Sequence, residues 1–161
     1  MTLLERFLKT KAKEIGKKNV QLKAIGRLDM LPKRTRNQLD KVIAETSSND
    51  GLTLNLALSY GSREEIIDAT KALAKEVQSG ALSVEEIDHD VFSSHLYTNN
   101  TPDPDLLIRT SGEFRLSNFL LWQLSYAEIF ISPKNWPDFH KDDFRAAVEE
   151  YKHRNRRFGK V

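Results

Sequence analysis

Hydrophobic positions recur along this chain in two rhythms, one of about 3.6 residues and one of 2, which predicts helices and strands in turn. Leu4, Phe7, Leu8, Ala12 and Ile15 share one helical face. They follow Thr2-Leu3-Leu4-Glu5, a hydroxyl with a carboxylate three residues on, which reads as a capping box, and Gly16 is the expected stop. Val20, Leu22 and Ala24 alternate with Gln21 and Lys23, a strand over residues 20–25 that ends at Gly26. Leu31-Pro32 opens a second helix, with Leu39, Val42, Ile43 and Thr46 along one face. Leu52, Leu54, Leu56 and Leu58 alternate with Thr53, Asn55, Ala57 and Ser59, the clearest strand in the chain. Its second face is small enough to be covered, as in the central strands of α/β sheets. Ser62-Arg63-Glu64-Glu65 and Ser83-Val84-Glu85-Glu86 are two more capping boxes. The first leads into Ile66, Ala69, Leu73 and Val77 with Gly80 as the stop, the second into Ile87, Val91 and Phe92.

A turn-rich stretch over residues 97–104 precedes Leu106-Leu107-Ile108, an apolar run that suits a buried strand over residues 105–108. The apolar block 119–124 predicts a helix, a strand follows, and residues 142–157 read as a last helix through Phe144, Ala147, Val148 and Tyr151. Such alternation argues an α/β fold, a largely parallel central sheet flanked by helices, in one domain over residues 1–161. A sheet of this kind that opens on a helix is unusual but allowed, and it leaves open whether a first strand precedes Met1.

Composition narrows the function classes. The chain has 161 residues, 39% hydrophobic and 30% charged, which is globular rather than disordered. A net charge of +2 gives no ground for nucleic acid as a partner. The basic tail over residues 152–160 is open to three readings: a nucleic-acid patch, an interface, or a solvated helix end favoured by the helix dipole. The last is the commonest. With no cysteine there is neither a disulfide framework nor a thiolate metal site. Residues 1–18 carry lysines and no apolar signal core, and no run approaches the ~18 apolar residues of a membrane span. A cytoplasmic protein is expected, with any lipid partner in a groove or on the surface. His89, His95, His140 and His153 show no metal-ligand spacing and read as surface residues, and Trp122 and Trp136 read as core or interface.

The candidate chemistry lies in residues 105–139. Thr110-Ser111-Gly112 breaks the strand with small residues that let the backbone turn near a ligand. Arg109 and Arg115 flank the break, with Ser117 beyond. Guanidinium forks suit phosphate oxygens and a serine adds a small donor, so a diphosphate site is one reading. A salt-bridge network with Glu113 and Asp105 is the other. Glu128, between Tyr126-Ala127 and Ile129-Phe130, needs a partner in that apolar setting, either Mg²⁺ or one of the arginines. Tyr60-Gly61-Ser62-Arg63 is a second strand-to-helix junction, read as plain capping by Ser62.

The run DLLIRTSGEFRLSNFLLWQLSYAEIF resembles the signature region of the cis-prenyltransferases, the family of bacterial undecaprenyl diphosphate synthase. Residues 25–31, GLTLNLALSYGSR at residues 51–63, and Arg156-Arg157-Phe158-Gly159 are similar to further family segments in the same order. The resemblance implies condensation of isopentenyl diphosphate with an allylic diphosphate such as farnesyl diphosphate, giving a long-chain polyprenyl diphosphate that serves as a cell-wall lipid carrier precursor. It implies Mg²⁺ as cofactor, a homodimer, and a product released to the membrane, through which the protein associates with lipid. By position it implies that Arg109, Arg115 and Ser117 bind the diphosphate of isopentenyl diphosphate and that Glu128 helps hold the metal. Arg157 and Gly159 would form the R-x-G element that reaches across the dimer towards the partner's site. The family's Asp-Gly-Asn-Gly-Arg motif, with its metal-binding aspartate, is absent, and Ser62 stands where a second glycine is usual. The expectation is a domain lacking its N-terminal third and inactive alone, or else a non-catalytic partner subunit of a heteromeric enzyme.

Overall fold

A computed structural model describes residues 2–154. The chain divides into two compact units, Met1–Asn99 and Asn100–Val161.

The first unit holds α1 (Thr2–Lys17), β1 (Gln21–Ile25), α2 (Lys33–Glu45), β2 (Thr53–Ala57), α3 (Ser62–Ser79) and α4 (His89–Ser94). β1 and β2 run parallel, with Gln21 opposite Thr53 and Ile25 opposite Ala57. Leu8, Leu22, Leu31, Leu39 and Val42 form the buried core, with Leu54, Leu56 and Leu58 packed against it. Each fully buried leucine contributes roughly 1.5–3 kcal/mol. Thr46 fastens α2 to β1: its hydroxyl accepts from Leu22 N at 3.0 Å and donates to Val42 O at 2.9 Å. Gly26, at φ 106°, is required where β1 ends, because a Cβ there would lie 2.2 Å from Leu58 O.

Local signals in this unit are partly redirected. α1 runs through Gly16, and the turn that ends it falls on Asn19, at φ 55°. Asparagine tolerates the left-handed region, so it replaces the expected glycine stop. Glu5 reaches to α2, accepting from Thr35 Oγ1 at 2.8 Å. α3 is capped at Gly61 and closed by left-handed Gly80, while Ser62 is its first residue. Glu65, fully buried, accepts from Tyr60 Oη at 2.5 Å and from Tyr97 N at 2.8 Å. Ser83 does make the expected capping box with Glu86, but only over a 3-10 turn (Val84–Glu86), and α4 then starts afresh from Asp88.

The second unit holds β3 (Leu106–Arg109), β4 (Glu128–Ile131) and α5 (Lys141–Lys152). Its strands are also parallel, Leu106 opposite Glu128 and Arg109 opposite Ile131. The helix expected over 119–124 is instead a series of turns. Ser117, Asn118 and Leu120 have φ of 50°, 62° and 45°, which no right-handed helix can carry. α5 begins at a capping box between His140 and Asp143.

Candidate functional site

The parallel register of β3 and β4 builds the site. Side chains of a strand alternate between faces, so Leu107 and Arg109 point one way while Leu106 and Ile108 point the other. Their partners Ile129 and Ile131 share the Leu107–Arg109 face. These four residues floor a groove of about 250 Å³, and Glu113, Phe114, Arg115 and Leu116 wall it. Most of its surface is hydrocarbon, with two guanidinium groups and one carboxylate.

Both arginines expected at a diphosphate therefore line one cavity. Arg109 is half-buried and makes no ion pair among the described residues, and its Nε is buried without a hydrogen-bond partner. A buried donor left unmatched is uncommon, and an anionic ligand would satisfy it. Arg115 is ion-paired with Glu113, and two-thirds of its side chain is exposed. The salt-bridge reading thus holds for Arg115 alone. Ser117 is exposed and is not among the groove residues. The turn after β3 puts Ser111 and Gly112 in the left-handed region, but their N–H groups donate to Lys134 O (2.7 Å) and Ser132 O (2.8 Å). Those amides brace the turn and leave ligand binding to side chains.

Glu128 opens β4, and its Oε2 accepts from Arg154 Nη1 at 2.8 Å. The alternative of an arginine partner is realised by Arg154, which follows α5, rather than by Arg109 or Arg115. Arg154 also donates to Ile129 O at 3.0 Å and to Glu150 Oε1 at 2.5 Å. Among the described residues no group of three or more His, Cys, Asp or Glu is placed to hold a metal ion. Glu128 offers one carboxylate, already engaged, so the described residues by themselves do not make a Mg²⁺ site. Arg157 and Gly159 lie outside the described residues.

A second polar cluster sits at the carboxyl end of β1. Arg27 donates to Asp68 at 3.2 Å and Tyr97 Oη donates to the same carboxylate at 2.5 Å. Tyr97 first, and Arg27 after it, holds Asp68 below the usual carboxylate range. These groups satisfy one another, which distinguishes them from the unmatched Arg109. His95, expected at the surface, is mostly buried: Nε2 faces Glu76 Oε1 at 3.0 Å and Nδ1 faces Val91 O at 2.8 Å.

A family model described as "Putative undecaprenyl diphosphate synthase" matches residues 1–159. The chain belongs to this family. The isoprenyl transferase of Bacillus subtilis (strain 168) is 47% identical over 161 residues, covering all of this chain and 62% of the relative. That of Geobacillus kaustophilus (strain HTA426) is 50% identical, with 63% of it covered. The chain thus spans about 62% of the length of the curated relatives it matches. A crystal structure of lavandulyl diphosphate synthase from Lavandula x intermedia in complex with dimethylallyl diphosphate superposes with a TM-score of 0.96 at 39% identity, covering 99% of this chain and 69% of that one. A probable undecaprenyl diphosphate synthase from Campylobacter jejuni superposes at 0.84 and 40% identity, covering 99% and 72%. The undecaprenyl diphosphate synthase family is thereby supported across both units. The groove's hydrocarbon floor was not singled out in the sequence, although Leu107, Ile129 and Ile131 stand at alternate positions of two short apolar runs.

Proposed function

We propose that this chain carries the isopentenyl diphosphate side of a cis-prenyltransferase. The single observation behind this reading is the unmatched Arg109 Nε in a cavity shared with Arg115. The two guanidinium groups take the diphosphate, and the five-carbon unit lies on Leu107, Ile129 and Ile131. Held there, the double bond meets the allylic carbon of the second substrate, farnesyl diphosphate or a longer homologue. A new carbon–carbon bond forms, the allylic diphosphate leaves, and the isopentenyl unit loses a proton. Repetition gives a polyprenyl diphosphate such as undecaprenyl diphosphate, precursor of a cell-wall lipid carrier. Mg²⁺, if bound, would supply charge neutralisation for the departing diphosphate, and Glu128, paired with Arg154, is the candidate ligand from this chain. Ser117 adds a hydroxyl to the diphosphate if its turn closes over the groove. The protein works in the cytoplasm as a homodimer, with Arg157 and Gly159 contributing across the interface, and hands its product to the membrane.

Two measurements test this. Isopentenyl diphosphate is expected to bind saturably, more tightly than inorganic diphosphate, while isopentenol does not bind. Equal affinity for the two diphosphates would remove the hydrocarbon floor from the account. The 161-residue chain with Mg²⁺ is expected to form no product from farnesyl and isopentenyl diphosphates. Product formation would show that this chain holds a complete site.

A further inference from the structure

The groove between β3 and β4 is hydrocarbon below and open above. Leu107 and Ile131 are half-buried in its floor, but Ile129 is 43% exposed. A five-carbon unit laid there keeps one side in water. The wall residue Phe114 is 86% exposed, more than any other large hydrophobic residue among those described. A single exposed phenylalanine is ordinary. This one stands at the rim of a cavity that two guanidinium groups and four aliphatic side chains also line. Its neighbours Glu113 and Arg115 are ion-paired with each other. The backbone on either side leaves the ring room to move. Ser111 (φ 65°) and Gly112 (63°) make one turn, and Ser117 (50°) and Asn118 (62°) another. The first turn is pinned to Lys134 O and Ser132 O, and in the second Leu116 O accepts from Phe119 N at 3.2 Å. Between them, the N–H groups of Glu113, Phe114, Arg115 and Leu116 donate to no backbone carbonyl among the described residues. The strap is fixed at both ends and unbraced in the middle, the kind of segment that moves at low cost.

We propose that Phe114 is the residue that selects an isoprenyl diphosphate over a bare one, its ring folding onto the isopentenyl carbons once the diphosphate is held. This rests on the diphosphate reading of Arg109 and Arg115. With the ring down, the five-carbon unit is enclosed between an aromatic face and the floor of Leu107, Ile129 and Ile131. Closure also keeps water from the carbon that becomes electron-poor as the new bond forms. The ring donates no hydrogen bond and carries no charge, so a bare diphosphate gains nothing from it.

The test titrates isopentenyl diphosphate and inorganic diphosphate into the full chain and into Phe114→Ala, an exposed position where truncation spares the fold. The variant is expected to bind isopentenyl diphosphate about tenfold more weakly, as for partial burial of a phenylalanine side chain, and inorganic diphosphate as the parent does. Phe114→Trp reports the closure itself. Relative to the parent, whose Trp122 and Trp136 give the background, its added emission should shift to the blue and resist acrylamide quenching with isopentenyl diphosphate but not with inorganic diphosphate. An unchanged affinity in Phe114→Ala, an equal loss for both ligands, or a tryptophan that stays exposed at saturation would overturn the proposal. So would a blue shift that follows protein concentration without ligand, which would assign the ring to contact with a second copy. If Phe114→Ala is silent while the parent still prefers isopentenyl diphosphate, this inference alone fails. A parent that binds both ligands alike would sink it together with the hydrocarbon floor.

Discussion

Arg154 Nη1 donates to Glu128 Oε2 at 2.8 Å, tying the residue after α5 to the first residue of β4. Glu128 chiefly, and Glu150 with it, hold the guanidinium even more firmly protonated than usual. The two side chains are 30% and 28% exposed, which puts the pair at the upper end of what surface ion pairs contribute. Glu128→Gln is expected to destabilise the protein by about 1 kcal/mol, read as a lower urea midpoint with an unchanged slope. An unchanged midpoint would mean that the pair contributes nothing to stability.

His95 makes stability depend on pH. Glu76, and after it the Val91 carbonyl, raises the imidazole above its ordinary value. A raised folded-state value means that the charged form stabilises the fold. The contribution is complete below the ordinary imidazole range, near ~6.5, and is lost as pH rises through the raised value. His95→Gln should therefore be less stable than the parent at pH 5.5, with the gap narrowing by pH 8.5. Urea midpoints across that range measure it, and a constant gap would contradict the assignment.

Glu113 competes with any anion for Arg115, since the two are ion-paired across the groove wall. Glu113→Gln frees the guanidinium and removes a negative charge beside the ligand. Affinity for isopentenyl diphosphate is expected to rise about fivefold, the order of one exposed ion pair. Weaker binding, measured by titration calorimetry, would instead mean that Glu113 positions Arg115 for the ligand.

Periodicity made the elements legible where local and long-range demands agree. The alternating leucines of β2 and the glycine that closes α3 both fall where the pattern places them, and the strands pair in parallel in both units. The pattern failed at residues 119–124, where apolar composition resembles a helix but left-handed backbone at Leu120 prevents one. It also misjudged Glu65, whose helix-start spacing suits a cap but whose carboxylate is drawn inward by Tyr60 and Tyr97. Arg109 and Arg115 were legible because they stand only six positions apart, across one turn. The tie from Glu128 to Arg154 was not, because it spans 26 positions and depends on where α5 returns to β4.

Everything said about the substrate turns on Arg109 and Arg115 gripping one diphosphate, and calorimetric titration of isopentenyl diphosphate against Arg109→Ala and Arg115→Ala tests that directly. Each variant should keep its helical circular dichroism and lose about 2 kcal/mol of binding, roughly thirtyfold, as expected for a charge-assisted hydrogen bond. Parent-like affinity in both variants would mean that the groove between β3 and β4 is not where the diphosphate sits.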